Sequence, residues 1–224
     1  LSSTGTNYRL NNLAFNNQYD DIVLEQLHIG TIENTYHQAW KNAAIVATND
    51  GVHEGAGGAW TKNYFFGDTV ASTTQSYIID TRNGYTRISD NLLLGAQVAC
   101  RIIANTGSPV GAFEVINNWI EENDIIGIQV LNTGGTAMSM LRINNNEFSV
   151  ATQSGAVRTN FQSHIAINAG SAGAWLTDVQ INDNIMRTTA SGGSGNSFIN
   201  ANSGTSMQIC RNVLEGLDAN NTVK

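Results

Sequence analysis

Charged residues are scarce in this chain of 224 residues. Lys, Arg, Asp and Glu together make up 13% of it, against roughly 25% in an average soluble domain. The 18 acidic and 11 basic side chains leave a formal net charge of −7, which argues against a nucleic-acid partner, because nucleic-acid-binding surfaces are normally basic. No apolar run approaches the ~20 residues of a membrane-spanning helix, so we expect no membrane insertion.

Proline, cysteine and metal-binding patterns are also rare. The chain has one proline and two cysteines, and two cysteines do not make a disulfide framework. None of the four histidines is spaced as His-x-His or His-x-x-x-His, so we predict no metal site and no cofactor. The hydrophobic fraction of 41% is enough for a sizeable core and, with so few charges, argues against disorder.

Asparagine is abundant instead, with 29 residues, and many of them belong to a repeat. Six segments share the pattern apolar-x-x-Asn-x-apolar, and a degenerate copy, Thr31-Ile-Glu-Asn34-Thr-Tyr36, precedes them. The six are Trp60-Thr-Lys-Asn63-Tyr-Phe65, Ile88-Ser-Asp-Asn91-Leu-Leu93, Val115-Ile-Asn-Asn118-Trp-Ile120, Ile143-Asn-Asn-Asn146-Glu-Phe148, Ile181-Asn-Asp-Asn184-Ile-Met186 and Ile209-Cys-Arg-Asn212-Val-Leu214. Counted from Asn34, successive anchor asparagines are 29, 28, 27, 28, 38 and 28 residues apart, the 38 being one period plus an insertion of about ten residues.

The repeat predicts a solenoid in which each period is one coil. We expect the apolar residues three before and two after each anchor to point inward, which places Trp60 and Tyr36 in the core. The anchor asparagine should occupy a sharp left-handed turn, which Asn tolerates, and stacked amides should bond along the axis. A second short apolar strand, such as the one ending at Asn132, follows most anchors.

This composition favours an all-β parallel β-helix of about seven rungs, stacked about 4.8 Å apart. A propeller is the competitor, but its blades need ~40–45 residues and four strands. The prediction divides the chain into an irregular N-terminal segment, first rung or cap (1–30), the β-helix (31–216) and a C-terminal exit strand or linker (217–224). Cys100 and Cys210 fall four rungs apart, beyond the ~7 Å between Cα atoms that a disulfide allows, so we expect them not to be bridged.

The Asn-anchored period resembles that of the right-handed parallel β-helix superfamily of pectate-lyase-like proteins. Its members include polysaccharide lyases, hydrolases, epimerases and the tailspikes of bacteriophages. The resemblance covers residues 30–216 and implies a single-stranded, right-handed solenoid. Tailspike and appendage proteins look most similar in their long Gly-, Ser-, Thr- and Asn-rich rungs. That resemblance implies a virion or extracellular protein, a homotrimer that covers the open solenoid ends, and a polysaccharide partner on the bacterial surface.

Two outward columns contain the candidate binding residues. Four positions before the anchor, Arg87, Glu114 and Arg142 should stack on successive rungs, either as a sugar-binding row or as a surface ion-pair row of little energetic value. One position after the anchor stand Tyr64 and Trp119, whose rings suit stacking on the apolar faces of sugars. The alternative for Trp119 is packing under a loop or in a subunit interface.

Carboxylates on neighbouring rungs are the candidate catalytic groups. Glycoside hydrolysis normally needs two carboxyl groups, ~5–5.5 Å apart in retaining enzymes and ~6.5–9.5 Å apart in inverting ones. Stacked rungs bring Glu114, Glu121 and Glu147 into that range. We therefore carry three hypotheses: a tailspike-like protein that binds, with or without hydrolysing, bacterial polysaccharide; a secreted polysaccharide lyase or epimerase; and a structural virion or adhesin rod without a site.

Overall fold

The computed structural model consists of strands and turns, with no helix among the residues it describes. The described residues are 2–3, 7–25, 29–48, 57–67, 76–82, 85–104, 110–132, 138–150, 161–168, 176–188, 197–201, 206–216 and 222–223. The insertion of about ten residues, expected within 149–163, lies mostly outside them, because 151–160 are not described. Within them, no helix is long and apolar enough to cross a membrane.

The strands form three sheets, and every third strand along the chain belongs to the same sheet. Sheet 1 contains β1 (Ser2–Ser3), β4 (Asp20–Glu25), β7 (Ala43–Thr48), β10 (Tyr77–Arg82), β13 (Val98–Ala104), β16 (Ile126–Asn132), β19 (Ser163–Asn168), β22 (Ser197–Ala201) and β25 (Thr222–Val223). Sheet 2 contains β2 (Asn7–Asn11), β5 (Ile29–Glu33), β8 (Gly57–Thr61), β11 (Thr86–Ser89), β14 (Val110–Ile116), β17 (Met138–Asn144), β20 (Val179–Asn182) and β23 (Met207–Cys210). Sheet 3 contains β3 (Ala14–Asn16), β6 (Tyr36–Gln38), β9 (Tyr64–Phe66), β12 (Leu92–Leu94), β15 (Trp119–Glu121), β18 (Glu147–Ser149), β21 (Ile185–Thr188) and β24 (Val213–Gly216).

All of these strand pairs are parallel, and one coil consists of consecutive strands from sheets 1, 2 and 3. This confirms an all-β chain with the architecture of a parallel β-helix. The handedness and the number of rungs stay predictions. The sequence indicated at least two strands per period, whereas the structure has three, because the three-residue strands of sheet 3 are too short to show an alternating pattern of their own.

The core consists of stacked apolar columns, as the repeat predicts. Trp60 pairs in register with Ile88 on the next coil, and Phe65 pairs with Leu93; all four side chains are fully buried. The same two columns continue with Val115, Ile143 and Ile181 in sheet 2, and with Ile120, Phe148 and Met186 in sheet 3. Leu214 keeps this register but is 38% exposed, because β24 is the outermost described strand of sheet 3.

The anchor asparagines form the expected ladder, which runs through Asn63, Asn91, Asn118, Asn146, Asn184 and Asn212. From Asn63 to Asn184, the backbone N–H donates to the Oδ1 of the next anchor at 2.9–3.0 Å. The Nδ2 of the same residues donates to that same Oδ1 at 2.9–3.1 Å and to a main-chain carbonyl of the preceding coil at 2.8–3.0 Å. Each inner amide thus satisfies main-chain and side-chain groups on both neighbouring coils.

The degenerate copy around Asn34 is shifted by one residue from its expected position. Thr35, not Asn34, occupies the anchor position, and its hydroxyl and backbone N–H both donate to Asn63 Oδ1, at 2.8 and 3.0 Å. His37, not Tyr36, is therefore the inward residue, and Tyr36 is 40% exposed. The shift occurs because His37 has polar partners inside: Thr35 Oγ1 lies 2.8 Å from its Nε2 and Asp21 Oδ2 lies 2.8 Å from its Nδ1.

The left-handed residue is also displaced from the predicted position, since it directly precedes each anchor. Positive φ angles of 54–59° occur at Lys62, Asp90, Asn117, Asn145, Asp183 and Arg211. Lys and Arg have no preference for this conformation, so the bend between sheets 2 and 3 is imposed by the ladder that follows it. The anchor position therefore requires the hydrogen-bonding amide of Asn and not its tolerance of a left-handed backbone conformation.

Two further buried groups matter for stability. His164 lies among Phe148, Phe161 and Phe198, with ring centroids 4.8–5.8 Å away, and this burial lowers its pKa to about 3, against a smaller opposing effect of a backbone hydrogen bond to Arg187. Burial also lowers the pKa of His37, opposed by Asp21. The two cysteines are free, as expected from their separation.

Candidate functional site

The predicted row of charged residues lies on the outer face of sheet 2. Arg87, Glu114 and Arg142 pair in register on β11, β14 and β17. Arg87 Nε lies 3.9 Å from Glu114 Oε2, and Arg142 Nη1 lies 3.4 Å from Glu114 Oε1. Arg87 and Glu114 also line a shallow groove of about 320 Å³ beside the exposed ring of Tyr85. The stacking of the row is therefore confirmed, whereas its role stays a prediction.

The predicted aromatic residues lie on the outer face of sheet 3. Tyr64, Leu92, Trp119 and Glu147 are successive neighbours in register on β9, β12, β15 and β18. Tyr64 is 52% exposed and Trp119 is 51% exposed. The two rings lie on either side of Leu92, and Tyr36 precedes Tyr64 in the same column. This column is the aromatic face of the protein.

Short strands explain why these rings point outward. Each sheet 3 strand begins directly after an anchor, and its middle residue enters the core, so the residues on either side of it must face out. The first outward position holds the aromatic column. The second holds Phe66, Leu94, Glu121, Ser149 and Arg187 on successive coils.

A groove of about 490 Å³ follows the aromatic face. Its lining consists of Tyr64, Asp90, Asn91, Leu92, Asn117 and Trp119. Asp90 and Asn117 are the left-handed residues of their bends, so their side chains project beside the rings rather than into the core. Asn117 Nδ2 lies 3.4 Å from Asp90 Oδ1. The backbone bends therefore supply the polar wall of an aromatic groove.

Glu121 is the last residue of β15, two positions after Trp119 on the same strand. Its pKa is raised, mainly because of partial burial and then because of the charge of Glu122, to which the charge of Glu147 adds a smaller contribution. Hydrogen bonds from the side chains of Trp119 and Ser149 oppose the rise. Glu122 itself is fully buried, so Glu121 is the outward member of that pair. Glu121 therefore keeps its carboxyl proton to a higher pH than an ordinary glutamic acid does.

Glu147 has a different environment on the same face. Its Oε1 contacts Arg187 Nη1, and Arg187 Nε also pairs with Glu215 Oε2 at 2.8 Å. These two carboxylates raise the pKa of Arg187, Glu215 more than Glu147. Glu121 and Glu147 thus lie close enough to interact but in unequal surroundings, one partly buried and one next to a cation.

The structure separates the predicted site residues into two groups. Glu121, Glu147, Trp119 and Tyr64 lie on sheet 3, whereas Glu114 lies with Arg87 and Arg142 on sheet 2, across the bend from the aromatic face. Glu114 is therefore not a member of the same carboxylate pair. The turn predicted at each anchor lies between Glu114 and the other carboxylates, but the sequence does not show that this turn carries the chain into a different sheet.

Sequence reasoning missed Arg187, Asp90 and Asn117 as parts of this face. Arg187 occupies the second outward column of sheet 3, three positions after the anchor. Reading that column along the repeat would have found it between Ser149 and Glu215. Asp90 and Asn117 could be found only by knowing that the residue before the anchor is the bend.

No group of three or more His, Cys, Asp or Glu residues able to hold a metal ion occurs in the described part of the chain. No family model matches this chain, and no curated protein or solved structure matches it either. The function is therefore argued from the geometry of the two outer faces.

Proposed function

We propose that the protein binds polysaccharide along the aromatic face of sheet 3. The observation that carries this proposal is the column of half-exposed rings, Tyr36, Tyr64 and Trp119, on consecutive or alternate coils of one sheet. Large aromatic rings seldom remain exposed in line on a monomer without a binding role. Their faces stack on the apolar faces of sugar rings and lose little conformational entropy in doing so.

The support for these rings is rigid, which favours binding of an extended polymer. Each ring is attached to a three-residue strand that is hydrogen bonded to strands on both sides. The anchor ladder runs directly beneath the bend that precedes each strand. The rings are therefore held in place before a ligand arrives, which lowers the entropic cost of binding.

Hydrolysis of the bound polymer is the second candidate function, and the environment of Glu121 and Glu147 favours it. The two residues lie one coil and two positions apart, which places their backbones about 8 Å from each other by strand geometry. Side chains attached at this backbone separation can bring their carboxyl groups to the ~6.5–9.5 Å that inverting glycosidases use. In such an enzyme Glu121, whose pKa is raised, would be the general acid and Glu147 the base that activates water.

The lyase or epimerase alternative has less support. It requires a cation free to neutralise a uronate, and the arginines of both outer faces already contact carboxylates: Arg87 and Arg142 contact Glu114, and Arg187 contacts Glu147. For a rod without a site, the exposed aromatic column and its groove would have no role.

We further propose that the chain is a right-handed parallel β-helix of about seven rungs stacked about 4.8 Å apart, related to the pectate-lyase-like superfamily and within it to tailspikes. On this proposal it is a virion or extracellular protein, assembled as a homotrimer. A monomeric mass by light scattering would contradict the trimer.

Binding is tested with a panel of capsular and O-antigen polysaccharides, followed by tryptophan fluorescence and calorimetry. We expect Trp119→Ala and Tyr64→Ala to weaken binding at least tenfold. Tyr19→Ala is the matched control, because Tyr19 is 67% exposed but lies in the bend between β3 and β4, away from the aromatic face. Full binding by both the Trp119 and Tyr64 variants would overturn the proposal.

Hydrolysis is tested on any polymer that binds, by measuring new reducing ends. We expect Glu121→Gln and Glu147→Gln to abolish cleavage while binding is retained, and Glu114→Gln to leave cleavage unchanged. Cleavage that survives in both of the first two variants would remove the carboxylate pair from the mechanism.

A further inference from the structure

The two outer faces differ in charge, and this difference bears on the ligand. On sheet 2 the row contains two guanidinium groups, Arg87 and Arg142, around the single carboxylate of Glu114. On sheet 3 the described residues that line the groove include Asp90 and no lysine or arginine. Glu147 is the register neighbour of Trp119, and a side-chain hydrogen bond joins Glu121 to Trp119.

The positive charge near the aromatic face is already neutralised. Arg187 lies between Glu147 and Glu215 and contacts both. Lys62, in the bend before Tyr64, has its Nζ 3.6 Å from Glu33 Oε1 on the neighbouring coil. A carboxylate-bearing sugar stacked on Trp119 would therefore meet fixed negative charge, while Lys62 and Arg187, the described cations discussed above, already contact carboxylates.

From this contrast we propose that the aromatic groove prefers sugars that bear a protonated amine over neutral sugars, and rejects uronates. This inference rests on the proposed binding of polysaccharide at the same groove. A cation held against the face of Trp or Tyr is attracted by the ring quadrupole. Asp90 adds attraction from the side, and Arg187 with Glu147 and Glu215 forms a cluster that keeps a net negative charge. Amine-bearing glycans thus match both the rings and the charge of the groove.

Three oligosaccharides of equal length test the order of preference: a glucosamine hexamer, an N-acetylglucosamine hexamer and a galacturonate hexamer. Binding is measured by calorimetry at a pH at which the amines are protonated. We expect the glucosamine hexamer to bind at least tenfold more tightly than the acetylated one, and the galacturonate hexamer to show no binding. The advantage should shrink as salt is raised.

Two charge-removing variants locate the effect. Asp90→Asn and Glu147→Gln should each reduce the ratio of the affinities for the glucosamine and acetylated hexamers severalfold. Asn tolerates the positive φ at position 90, so folding should be preserved. Asp183→Asn is the matched control, since Asp183 is a bend residue at the same position of a distant coil and should leave the preference unchanged.

The outcomes separate the inference from the proposed function. If the acetylated and glucosamine hexamers bind equally and Trp119→Ala weakens both, only the charge preference is wrong. If the preference for glucosamine persists in Trp119→Ala, it reflects attraction to the net negative protein and the inference is overturned. If no hexamer or longer polymer binds in a way that depends on Trp119 and Tyr64, the proposed function itself fails.

Discussion

The buried asparagine column and the exposed charged column repeat with the same spacing but have different consequences. In the asparagine ladder, each amide is within 2.9–3.1 Å of its neighbour and also bonds the main chain. In the row on sheet 2, the ionic contacts are 3.4–3.9 Å long and lie in solvent. Stacking in register alone therefore does not create stability. Burial makes the inner column indispensable and leaves the outer columns free to vary with function.

Removing one inner amide should have the largest effect. Asn118→Ala removes the acceptor of the Asn91 backbone N–H and of Asn91 Nδ2, and the donor to the carbonyl of Ile88. We expect a loss of about 3 kcal/mol or more in the free energy of unfolding, since a buried group left unpaired costs 1–3 kcal/mol. Urea denaturation measures the loss.

The adjacent asparagine is the control for that variant. Asn117 is exposed and has a positive φ of 56°, which glycine adopts at no steric cost. Asn117→Gly should therefore change stability by less than ~1 kcal/mol. Equal destabilisation by the two substitutions would show that the ladder is no more important than the surface.

Acidification should be a perturbation of similar size, because it acts on the interior. His164 has a folded-state pKa of about 3, below the value of ~6.5 in an unfolded chain, so the unfolded state gains a proton first as the pH falls. Stability should decrease between pH 6.5 and 3 by up to about 1.4 kcal/mol per pH unit from this residue, and the lowered pKa of His37 acts in the same direction.

A His164→Leu variant isolates that contribution. Urea unfolding at pH 7, 6, 5 and 4 should show a smaller loss of stability in the variant than in the wild type. If the unfolding free energies of the two proteins fell equally with pH, His164 would not be buried in its neutral form.

A substitution in the outer column should alter binding more than folding. Leu92 interrupts the aromatic column between Tyr64 and Trp119. Leu92→Tyr would make the stack continuous, and we expect glycan affinity to rise severalfold while the unfolding free energy changes by less than ~1 kcal/mol. Calorimetry with a bound polysaccharide measures the first and urea denaturation the second. Unchanged affinity would indicate that the rings bind independently of one another.

The smallest effect is expected in the charged row. Glu114→Gln removes two partly exposed ion pairs, each worth less than ~1 kcal/mol. The change in melting temperature should be slight and should diminish in high salt. A loss as large as that of Asn118→Ala would remove the distinction between the inner and outer columns.

The repeat was predictable from the sequence because its inner positions accept only a few residue types. An Asn flanked at fixed distances by apolar residues recurs in six coils, and the register of Trp60, Ile88 and Val115 followed from it. The Asn pattern breaks down where another polar side chain takes the place of the amide. Thr35 supplies a hydroxyl where the other anchors supply an amide, and His37 enters the core with polar partners. The Asn pattern therefore assigned the anchor to Asn34, one residue too early.

The candidate site was only partly predictable. Trp119 and Glu147 could be placed on one face because they share an offset from the anchor. The separation of Glu114 from that face depends on the bend at Asn117. The contact between Arg187 and Glu147 joins residues that lie in different outward columns and on neighbouring coils. Such relations depend on the three-dimensional path of the chain.

The asparagine ladder also has a direction. Along it every Nδ2 donates toward the following coil and every Oδ1 accepts from the preceding one, beginning with the hydroxyl of Thr35. Turning a single amide around would oppose nitrogen to nitrogen on one side and oxygen to oxygen on the other, so the orientation is collective. The amide dipoles consequently add along the axis, as peptide dipoles do in an α-helix, and this all-β interior is a polar filament with two chemically unlike ends.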